Sequence, residues 1–341
     1  MKALVKNRPE RGLWMQDVPI PRPGPNEVLI RIRKTGICGT DLHLYNWDGW
    51  AQRNLQLPRI VGHEFAGEIA ELGTAVEGYR VGQRVTGEGH VTCGLCRNCR
   101  AGRRHLCDKA VGIGGGRDGA FAEYLVLPAF NLWPLHDDIP DDLAAILDPF
   151  GNAVHSVFAF LVATEDVLIT GAGPIGLMCT AVCRFLGARR VVVSDINDDR
   201  LALAERLGAS RVVNPTRQSL AEAMAALGMS NGFDVGLEMS GSPEAFNQML
   251  SAMYHGGSIA LLGFLPPETR IDWDHVIFKG LTLKGIYGRE VFATWHRMSQ
   301  LLRSGLDIAP VITHRYPAED FHTAFETVRA GRCGKVILEW T

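Results

Sequence analysis

The sequence lacks the long apolar segments that mark membrane proteins. No run of about 18 apolar residues occurs in its 341 residues, and its first residues contain no apolar core typical of a signal peptide. Little net charge is present either, since 35 lysines and arginines stand against 37 aspartates and glutamates, a formal charge of −2. These absences argue against a membrane span and against nucleic acid or an anionic membrane as the main partner. We therefore expect a cytoplasmic protein with a small-molecule ligand.

Glycine and cysteine carry more information than the missing features. The 38 glycines are about 11% of the chain, where roughly 7% is usual, and they favour tight turns and close approach of the backbone to a ligand. In a cytoplasmic protein thiols stay reduced. The eight cysteines therefore indicate metal binding or chemistry instead of a disulfide framework.

Two regions with different patterns of apolar residues, glycine and proline predict two domains. In the first third, short β-type runs such as VLIRIR (28–33) are separated by glycine and proline, which is typical of a barrel-like β domain. Near residue 140 the composition changes, and from Asp166 the chain alternates buried strand patterns with helical patterns, which predicts a doubly wound parallel sheet. The last fifty residues do not form a fold alone. We predict one domain from 1–140 with 291–341, and a second from 141–290.

A glycine-rich motif follows the first buried strand of the second region. Gly171, Gly173 and Gly176 match G-x-G-x-x-G between the strand pattern VLIT and a helical pattern. Such glycines permit a tight turn and let a pyrophosphate approach the backbone. Asp195 ends the next apolar run, where a carboxylate can bind a ribose and repel a 2′-phosphate. The pattern predicts NAD over NADP, although Arg200 weakens that preference; the alternative is a glycine turn without a ligand.

Four cysteines lie in one basic, glycine-rich loop. Four thiolates can close a tetrahedral shell around zinc, and a closed shell is structural because it leaves no position for a substrate. Iron–sulfur ligation, a zinc-ribbon nucleic-acid module and four free thiols are the alternatives. The cysteines, with two, two and seven residues between them, are Cys93, Cys96, Cys99 and Cys107.

A further set of potential ligands is scattered along the chain. Cysteine, histidine and a carboxylate, with one coordination position left open, are the composition of a catalytic zinc site. Taken singly, a histidine of this kind is more often a hydrogen-bonded loop residue and a cysteine a small buried residue. Spacing alone does not bring the members together. They are Cys38, Thr40 and His43 in CGTDLH, His63 and Glu64 in GHE, and Asp148.

Together these segments resemble the zinc-dependent medium-chain alcohol dehydrogenases. The motifs occur in that family's order over essentially the whole chain: CGTDLH (38–43), GHEFAGEIAELG (62–73), VGQRV (81–85), the four-cysteine loop and GAGPIG (171–176). The resemblance implies an α/β fold with a GroES-like, β-barrel-type catalytic domain and a Rossmann domain. It also implies a catalytic zinc bound by Cys38, His63 and Glu64, a structural zinc in the cysteine loop, and a homotetramer.

The same resemblance implies roles for other residues. Thr40 and His43 would relay the substrate's hydroxyl proton to solvent, and Asp148 would be a zinc ligand or a proton acceptor close to it. The positions that would face NAD are Gly171, Gly173, Ile175, Gly176, Asp195, Arg200, Leu262, Gly263, Phe264, Ile286 and Tyr287.

Four longer stretches narrow the resemblance to bacterial L-threonine 3-dehydrogenases: 87–100, 148–155, 233–241 and 276–290. The implied reaction is NAD-dependent oxidation of L-threonine to L-2-amino-3-oxobutanoate in threonine degradation. Because threonine carries a carboxylate, we expect a polar or charged partner for it, and His90 and Arg289 are candidates. The alternatives are a supporting loop histidine and a plain surface arginine.

Three other functions compete with this interpretation. A polyol or secondary-alcohol dehydrogenase would share the zinc and glycine motifs, but GEGHVTC and GIYGRE favour threonine. A zinc-bearing nucleic-acid-binding protein would be more basic than a chain with a net charge of −2. A catalytically silent NAD-binding protein would not be expected to keep Cys38, His63 and Glu64.

Overall fold

The structure is a computed structural model that describes residues 1–340. Alternating patterns in the first third and continuous apolar runs in the second half both form strands, because a strand covered on one face alternates while one covered on both does not. The strands are β1 Lys2–Lys6, β2 Trp14–Asp17, β3 Glu27–Gly36, β4 Arg59–Ile60, β5 Glu64–Leu72, β6 Arg84–Gly87, β7 His90–Val91, β8 Val111–Gly112, β9 Tyr124–Pro128, β10 Leu132–Pro134, β11 Asp166–Thr170, β12 Arg190–Ser194, β13 Arg211–Val213, β14 Phe233–Glu238, β15 Met253–Leu261, β16 Thr282–Gly285, β17 Ile312–Pro317 and β18 Lys335–Glu339.

Several helices begin at a residue whose side chain accepts a hydrogen bond from the first turn, as Asn197 and Ser219 do. Within residues 1–340, no helix combines the length and the apolar character that crossing a membrane requires. The helices are α1 Gly39–Asn46, α2 Gly49–Asn54, α3 Arg97–Arg100, α4 Asp141–Ala144, α5 Leu147–Val157, α6 Pro174–Phe185, α7 Asp198–Arg206, α8 Leu220–Ala226, α9 Pro243–Ala252, α10 Trp273–Phe278, α11 Ala293–Arg303 and α12 Phe321–Arg329.

The first of two compact units comprises Met1–Asp148, Glu290–Trp295 and the chain from Ile312 onward. Its main sheet has the order β10-β6-β5-β3-β18-β17, with β9 also paired to β3. Neighbouring strands are antiparallel except β17 and β18. Because β18 pairs with β3, the C-terminal tail joins the sheet that begins near the N-terminus. Fully buried side chains such as Phe65 and Phe121 form its core.

The second unit comprises Pro149–Arg289 and His296–Val311. Its six strands are all parallel, in the order β13-β12-β11-β14-β15-β16. From β11 the strands are added first on one side, as β12 and β13, and then on the other side, as β14 to β16. Doubly wound sheets bind ligands at such a switch point, at the carboxyl ends of their strands. The core includes Leu168, Val192 and Phe246.

The bounds of the two units differ from the domain bounds predicted from sequence. The first unit extends to residue 148 and not to 140, and residues 296–311 group with the second unit although the prediction placed them in the first. The physical reason is that two helices cross the boundaries between the units: α5 crosses the one after residue 148, and α11 crosses the one after residue 295. A change of composition marks where a helix begins, but it cannot show at which turn the helix changes its packing partners.

Candidate active site and metal clusters

Cys38, His63 and Glu64 come together in the first unit, with one ligand atom of each within 4.8 Å of the others. Strand pairing explains this, because Glu64 begins β5 opposite Gly36 of β3, two residues before Cys38. A side chain at Gly36 would displace this carboxylate, since a Cβ atom at that position would lie 2.1 Å from Oε2 of Glu64. The pairing of β3 with β5 therefore builds a site whose members are distant in sequence.

The glycine before His63 has its own structural cause. Gly62 has φ of +89°, and a Cβ atom there would lie 2.3 Å from the ring of Phe121. A residue with a side chain would be strained at this φ and would also clash with the ring. Gly62 thus lets the chain turn tightly over Phe121 and present His63 to the cluster.

Asp41, which sequence reasoning missed, is a buried carboxylate beside this cluster. Its Oδ2 accepts a hydrogen bond of 2.9 Å from the Cys38 backbone N–H, and its Oδ1 lies 3.7 Å from Nδ1 of His63. Burial lowers the pKa of His63, but the charges of Asp41 and Cys38 outweigh burial and raise it well above its usual value. The surroundings therefore favour positive charge at this point, whether a proton or a metal cation.

Lys335 at the start of β18 is a second missed residue. Its Nζ lies 2.5 Å from Oε1 of Glu64 and donates a 2.9 Å hydrogen bond to the carbonyl of Ile37. Both charged side chains are buried, and the adjacent carboxylate raises the pKa of Lys335 although burial lowers it. Among the described residues, Oε2 of Glu64 has no hydrogen-bond partner. Lys335 thus fixes one oxygen of Glu64, and the other suits a cation.

The predicted proton relay lies along α1. Thr40 places Oγ1 3.8 Å from Sγ of Cys38, and His43 follows three residues later, on the same face of the helix. The half-exposed ring of His43 places Nδ1 2.5 Å from Oδ2 of Asp48, a partner that sequence reasoning missed. Asp148 is buried at the start of α5, and its Oδ2 lies 3.6 Å from a Cβ atom built on Gly89.

The four cysteines of the loop also converge, with their sulfur atoms within 4.8 Å of one another. Cys93 and Cys107 sulfurs are 3.6 Å apart, close to the separation of about 3.8 Å that a tetrahedron with zinc–sulfur bonds of about 2.3 Å requires. The backbone N–H groups of Leu95 and Cys96 lower the pKa of Cys93 to about 6. The loop backbone therefore stabilises the metal-binding thiolate form at Cys93, whereas burial raises the pKa of Cys99 to about 12.

The glycine motif of the second unit forms the predicted turn between β11 and α6. A Cβ atom on Gly176 would lie 1.9 Å from the carbonyl oxygen of Gly171, so only glycine fits there. A Cβ atom on Gly173, at the N-terminus of α6, would meet nothing within 4 Å, and no side chain caps this helix. Space and uncapped N–H groups at a helix N-terminus suit a pyrophosphate. Ile175 lies half-buried in the first turn of α6.

Asp195 follows β12 beside this turn. Its Oδ2 accepts a 2.6 Å hydrogen bond from the backbone N–H of Ala172, and its Oδ1 accepts one of 2.8 Å from Asn197. Arg200 lies in the first turn of α7, and its Nε has no hydrogen-bond partner within residues 1–340. The remaining predicted NAD positions, 262–264 and 286–287, follow β15 and β16 directly. All these segments share the carboxyl edge of the sheet.

Glu238, at the end of β14, is a buried acid that sequence reasoning did not single out. Its Oε1 accepts hydrogen bonds from the backbone N–H groups of Ser240 and Gly241, at 2.9 and 3.0 Å. A Cβ atom on Gly263 would lie 2.3 Å from its Oε2. The side chain of Glu238 therefore fixes the turn after β14, and its backbone carbonyl accepts hydrogen bonds from the N–H groups of Leu262 and Gly263 after β15.

The two predicted partners of the substrate carboxylate occupy different surroundings. His90 begins β7, and its Nδ1 lies 2.9 Å from Oε1 of Glu88 in the first unit. Arg289 is 2% exposed in the second unit, with Nη1 3.3 Å from Oδ1 of Asn152 and its stem over Gly151. The alternative of a plain surface arginine at 289 is therefore wrong.

Comparison with known families agrees with this geometry. Residues 24–137 match the family described as alcohol dehydrogenase GroES-like domain, and residues 174–304 match the family described as zinc-binding dehydrogenase. The chain belongs to the zinc-dependent medium-chain alcohol dehydrogenase family. This confirms the predicted family, fold class and oxidoreductase class, together with NAD and zinc as the expected pair of cofactors.

Individual proteins that are similar to this chain are also dehydrogenases. The chain is 59% identical over 341 residues to a protein from Edwardsiella ictaluri named L-threonine 3-dehydrogenase, covering 100% of both chains. Among solved structures it is similar to a short chain alcohol dehydrogenase from E. coli CFT073 complexed with NADH, with a TM-score of 0.91, 28% identity and 99% coverage of each chain. Galactitol-1-phosphate dehydrogenase from Escherichia coli gives a TM-score of 0.91 at 29% identity, covering 99% of this chain and 100% of that one.

Proposed function

We propose that this protein is an NAD- and zinc-dependent L-threonine 3-dehydrogenase of threonine degradation. The observation that carries the proposal is the 59% identity over the full length to a protein of that name. The identity at this level spans both metal clusters and the glycine motif. Galactitol-1-phosphate dehydrogenase, by contrast, shares the fold at only 29% identity, so we place polyols second as substrates.

The first unit would hold two zinc ions per chain. Cys38, His63 and Glu64 suit a catalytic zinc because their mixed donor set leaves a fourth position open, and the unpaired Oε2 of Glu64 supplies a buried oxygen. The four loop cysteines suit a closed, structural site. When bound, zinc would supply Lewis acidity to the substrate hydroxyl and NAD would accept a hydride from C3 of threonine.

The residues of α1 provide a path for the hydroxyl proton. Thr40 lies beside Cys38 and would accept this proton, and half-exposed His43 would pass it to solvent while Asp48 orients its ring. Asp148 is outside the set of three mutually close donor atoms, so we assign it the role of a proton acceptor beside the metal. The products would be 2-amino-3-oxobutanoate, NADH and a proton.

NAD would bind along the carboxyl edge of the second unit. The uncapped N-terminus of α6 would receive the pyrophosphate above Gly173 and Ile175, and Asp195 would accept hydrogen bonds from the adenosine ribose. The exposed side chains of Phe264 and Tyr287 lie in the segments after β15 and β16, where they would contact the rest of the cofactor.

We also infer a homotetramer in the cytoplasm. In the described residues β16 is an edge strand, paired with β15 only. The helix that precedes it, α10, has large apolar residues that are 56–76% exposed: Trp273, Ile277 and Phe278. An open strand edge next to an apolar patch favours contact with another copy of the chain. None of the eight cysteines forms a disulfide, which suits a reducing compartment.

A substrate screen tests the proposal. Production of NADH by the purified, zinc-loaded protein would be measured with threonine, serine, sorbitol, galactitol 1-phosphate, 2,3-butanediol and simple alcohols. We expect the highest kcat/KM with threonine. Turnover of a polyol with none of threonine would replace the proposed substrate by a polyol, while leaving the zinc- and NAD-dependent chemistry intact.

A further inference from the structure

Glu88 is a buried acid two residues before the proposed substrate histidine, and it belongs to neither metal cluster. It is 1% exposed. Its Oε1 accepts hydrogen bonds from the backbone N–H of His90 at 3.0 Å and from Nδ1 of the same ring at 2.9 Å. Its Oε2 accepts a 3.1 Å hydrogen bond from the indole N–H of Trp295. A buried carboxylate thus connects an indole to the imidazole of His90.

This segment lies against the proposed catalytic cluster. A Cβ atom built on Gly89, between Glu88 and His90, would be 3.6 Å from Oδ2 of Asp148 and 3.6 Å from the carbonyl oxygen of His63. The amide of Asn131 donates to the carbonyl oxygens of Glu88 and His90, at 2.7 and 3.0 Å. The backbone on both sides of Gly89 is therefore fixed beside the cluster.

The hydrogen bonds determine how the ring of His90 is oriented. An ionised carboxylate can only accept hydrogen bonds, so Nδ1 of His90 carries a proton that it donates to Glu88. A substrate carboxylate also only accepts hydrogen bonds, so Nε2 must carry a proton to meet it, and the ring that binds the carboxylate is doubly protonated. Because the ring is held before the substrate arrives, less conformational entropy is lost when the substrate binds.

We propose that Glu88 is a positioning residue that, held by Trp295, orients His90 toward the carboxylate of an amino-acid substrate. This proposal rests on the proposed function, because only a substrate with a carboxylate needs the oriented ring. Glu88 acts through His90 and does not itself touch the substrate. Its removal therefore changes the preference for threonine over an uncharged alcohol, and does so only while His90 is present.

A double-mutant cycle tests this dependence. The holoenzyme, Glu88→Gln, His90→Ala and the double variant would be compared by the ratio of kcat/KM for threonine to that for 2,3-butanediol. Glutamine keeps the size of Glu88 but offers one acceptor oxygen, instead of two, to the three N–H donors, two on His90 and one on Trp295. We expect Glu88→Gln to lower the ratio about tenfold with His90 present and less than about twofold in the His90→Ala background.

Two further variants separate positioning from general damage. Trp295→Phe keeps an aromatic ring but removes the N–H that holds Oε2, so we expect a smaller fall of the ratio in the same direction. Glu68→Gln is the matched control, because this partly exposed acid pairs with Arg33 at 2.8 Å and should leave the ratio unchanged. Zinc content and melting temperature would be measured for each variant.

The outcomes distinguish the two proposals. Equal losses from Glu88→Gln with and without His90, or equal losses on threonine and butanediol, would overturn the role of Glu88 while threonine turnover by the wild type still supports the proposed function. If the wild type oxidised butanediol but not threonine, the proposed function would fail, and the role of Glu88 with it. If Glu88→Gln does not fold, Trp295→Phe with and without His90 takes its place in the cycle.

Discussion

The two metal clusters of the first unit are built in opposite ways. One takes four identical donors from a single loop of 15 residues, Cys93 to Cys107, and surrounds them with backbone N–H groups. The other takes one sulfur, one nitrogen and one oxygen from two segments, and a third segment supplies Lys335. The loop site can form locally, whereas the dispersed site needs β3, β5 and β18 to be paired first.

Because of this difference, we expect the loss of one cluster to affect stability and the loss of the other to affect activity. A closed set of four thiolates has no position for a substrate, so its loss should affect the fold before the chemistry. The dispersed cluster contains a buried ion pair and an unpaired carboxylate oxygen, which the surrounding fold must hold in place. Its loss should affect the chemistry, provided that the sheet stays intact.

The largest effect is expected at the dispersed cluster. Cys38→Ser replaces a soft thiolate by a poor zinc ligand, and we expect kcat/KM for threonine to fall by at least about 10³-fold, equivalent to about 4 kcal/mol. Metal analysis should show one zinc retained per chain, and the melting temperature should change little. Mild chelation of the wild type should give the same result; a wild type that binds a single zinc would remove the distinction between the clusters.

Lys335 tests whether the dispersed cluster also contributes to stability. Lys335→Met leaves the Glu64 carboxylate buried without its partner, so we expect the free energy of unfolding to fall by about 3 kcal/mol or more. Lys2→Met is the control, because Lys2 pairs with Glu319 at 2.9 Å and both side chains are about half exposed, so this substitution should lower the free energy of unfolding far less. Denaturant unfolding of both variants measures the difference; equal losses would show that burial of the pair is unimportant.

The loop cluster should show the reverse behaviour. Cys96→Ser removes one of four thiolates, and we expect loss of that zinc and a decrease of about 2 kcal/mol in the free energy of unfolding. The kcat of the protein that remains folded should stay within about threefold of the wild type. Thermal unfolding and metal analysis check this. A variant that kept its stability but lost its activity would place the loop cluster in the chemistry.

Sequence reasoning succeeded where the information is local. Spacing alone identified the four-cysteine loop, and the alternation of apolar runs predicted the parallel sheet and the turn at Gly171 to Gly176. The donors Cys38, His63 and Glu64 became a set only through resemblance to a family. No local pattern could join them, because strand pairing over 25 and more residues sets their distances.

Most of the missed residues share a physical property. Asp41, Glu88, Glu238 and Lys335 are charged side chains that are fully or nearly fully buried, whereas Asp48 is partly exposed. Lys335 and Glu64 are separated by 271 residues in sequence. In a sequence, a lysine or an aspartate is most often an exposed residue, and only the fold shows that it is enclosed with a partner. The general signal that could have found them is a charged residue inside or next to an otherwise apolar strand, as in KVILE.

The dinucleotide site lies between these two cases, because its glycine turn is contiguous but Asp195 follows one strand later. The carboxylate of Asp195 accepts a 2.6 Å hydrogen bond from Ala172 in the turn, so it is held beside the place where the ribose would lie.

Asp195→Gly removes the charge that repels a 2′-phosphate and leaves Arg200 to attract it. We expect the ratio of kcat/KM for NADP to that for NAD to rise at least about tenfold, equivalent to about 1.4 kcal/mol. Initial rates with both cofactors at saturating threonine measure it, and Asp195→Asn, which keeps the size but not the charge, should give a smaller rise. An unchanged ratio in both variants would mean that another residue recognises the ribose, and the site would then be as dispersed as the catalytic cluster.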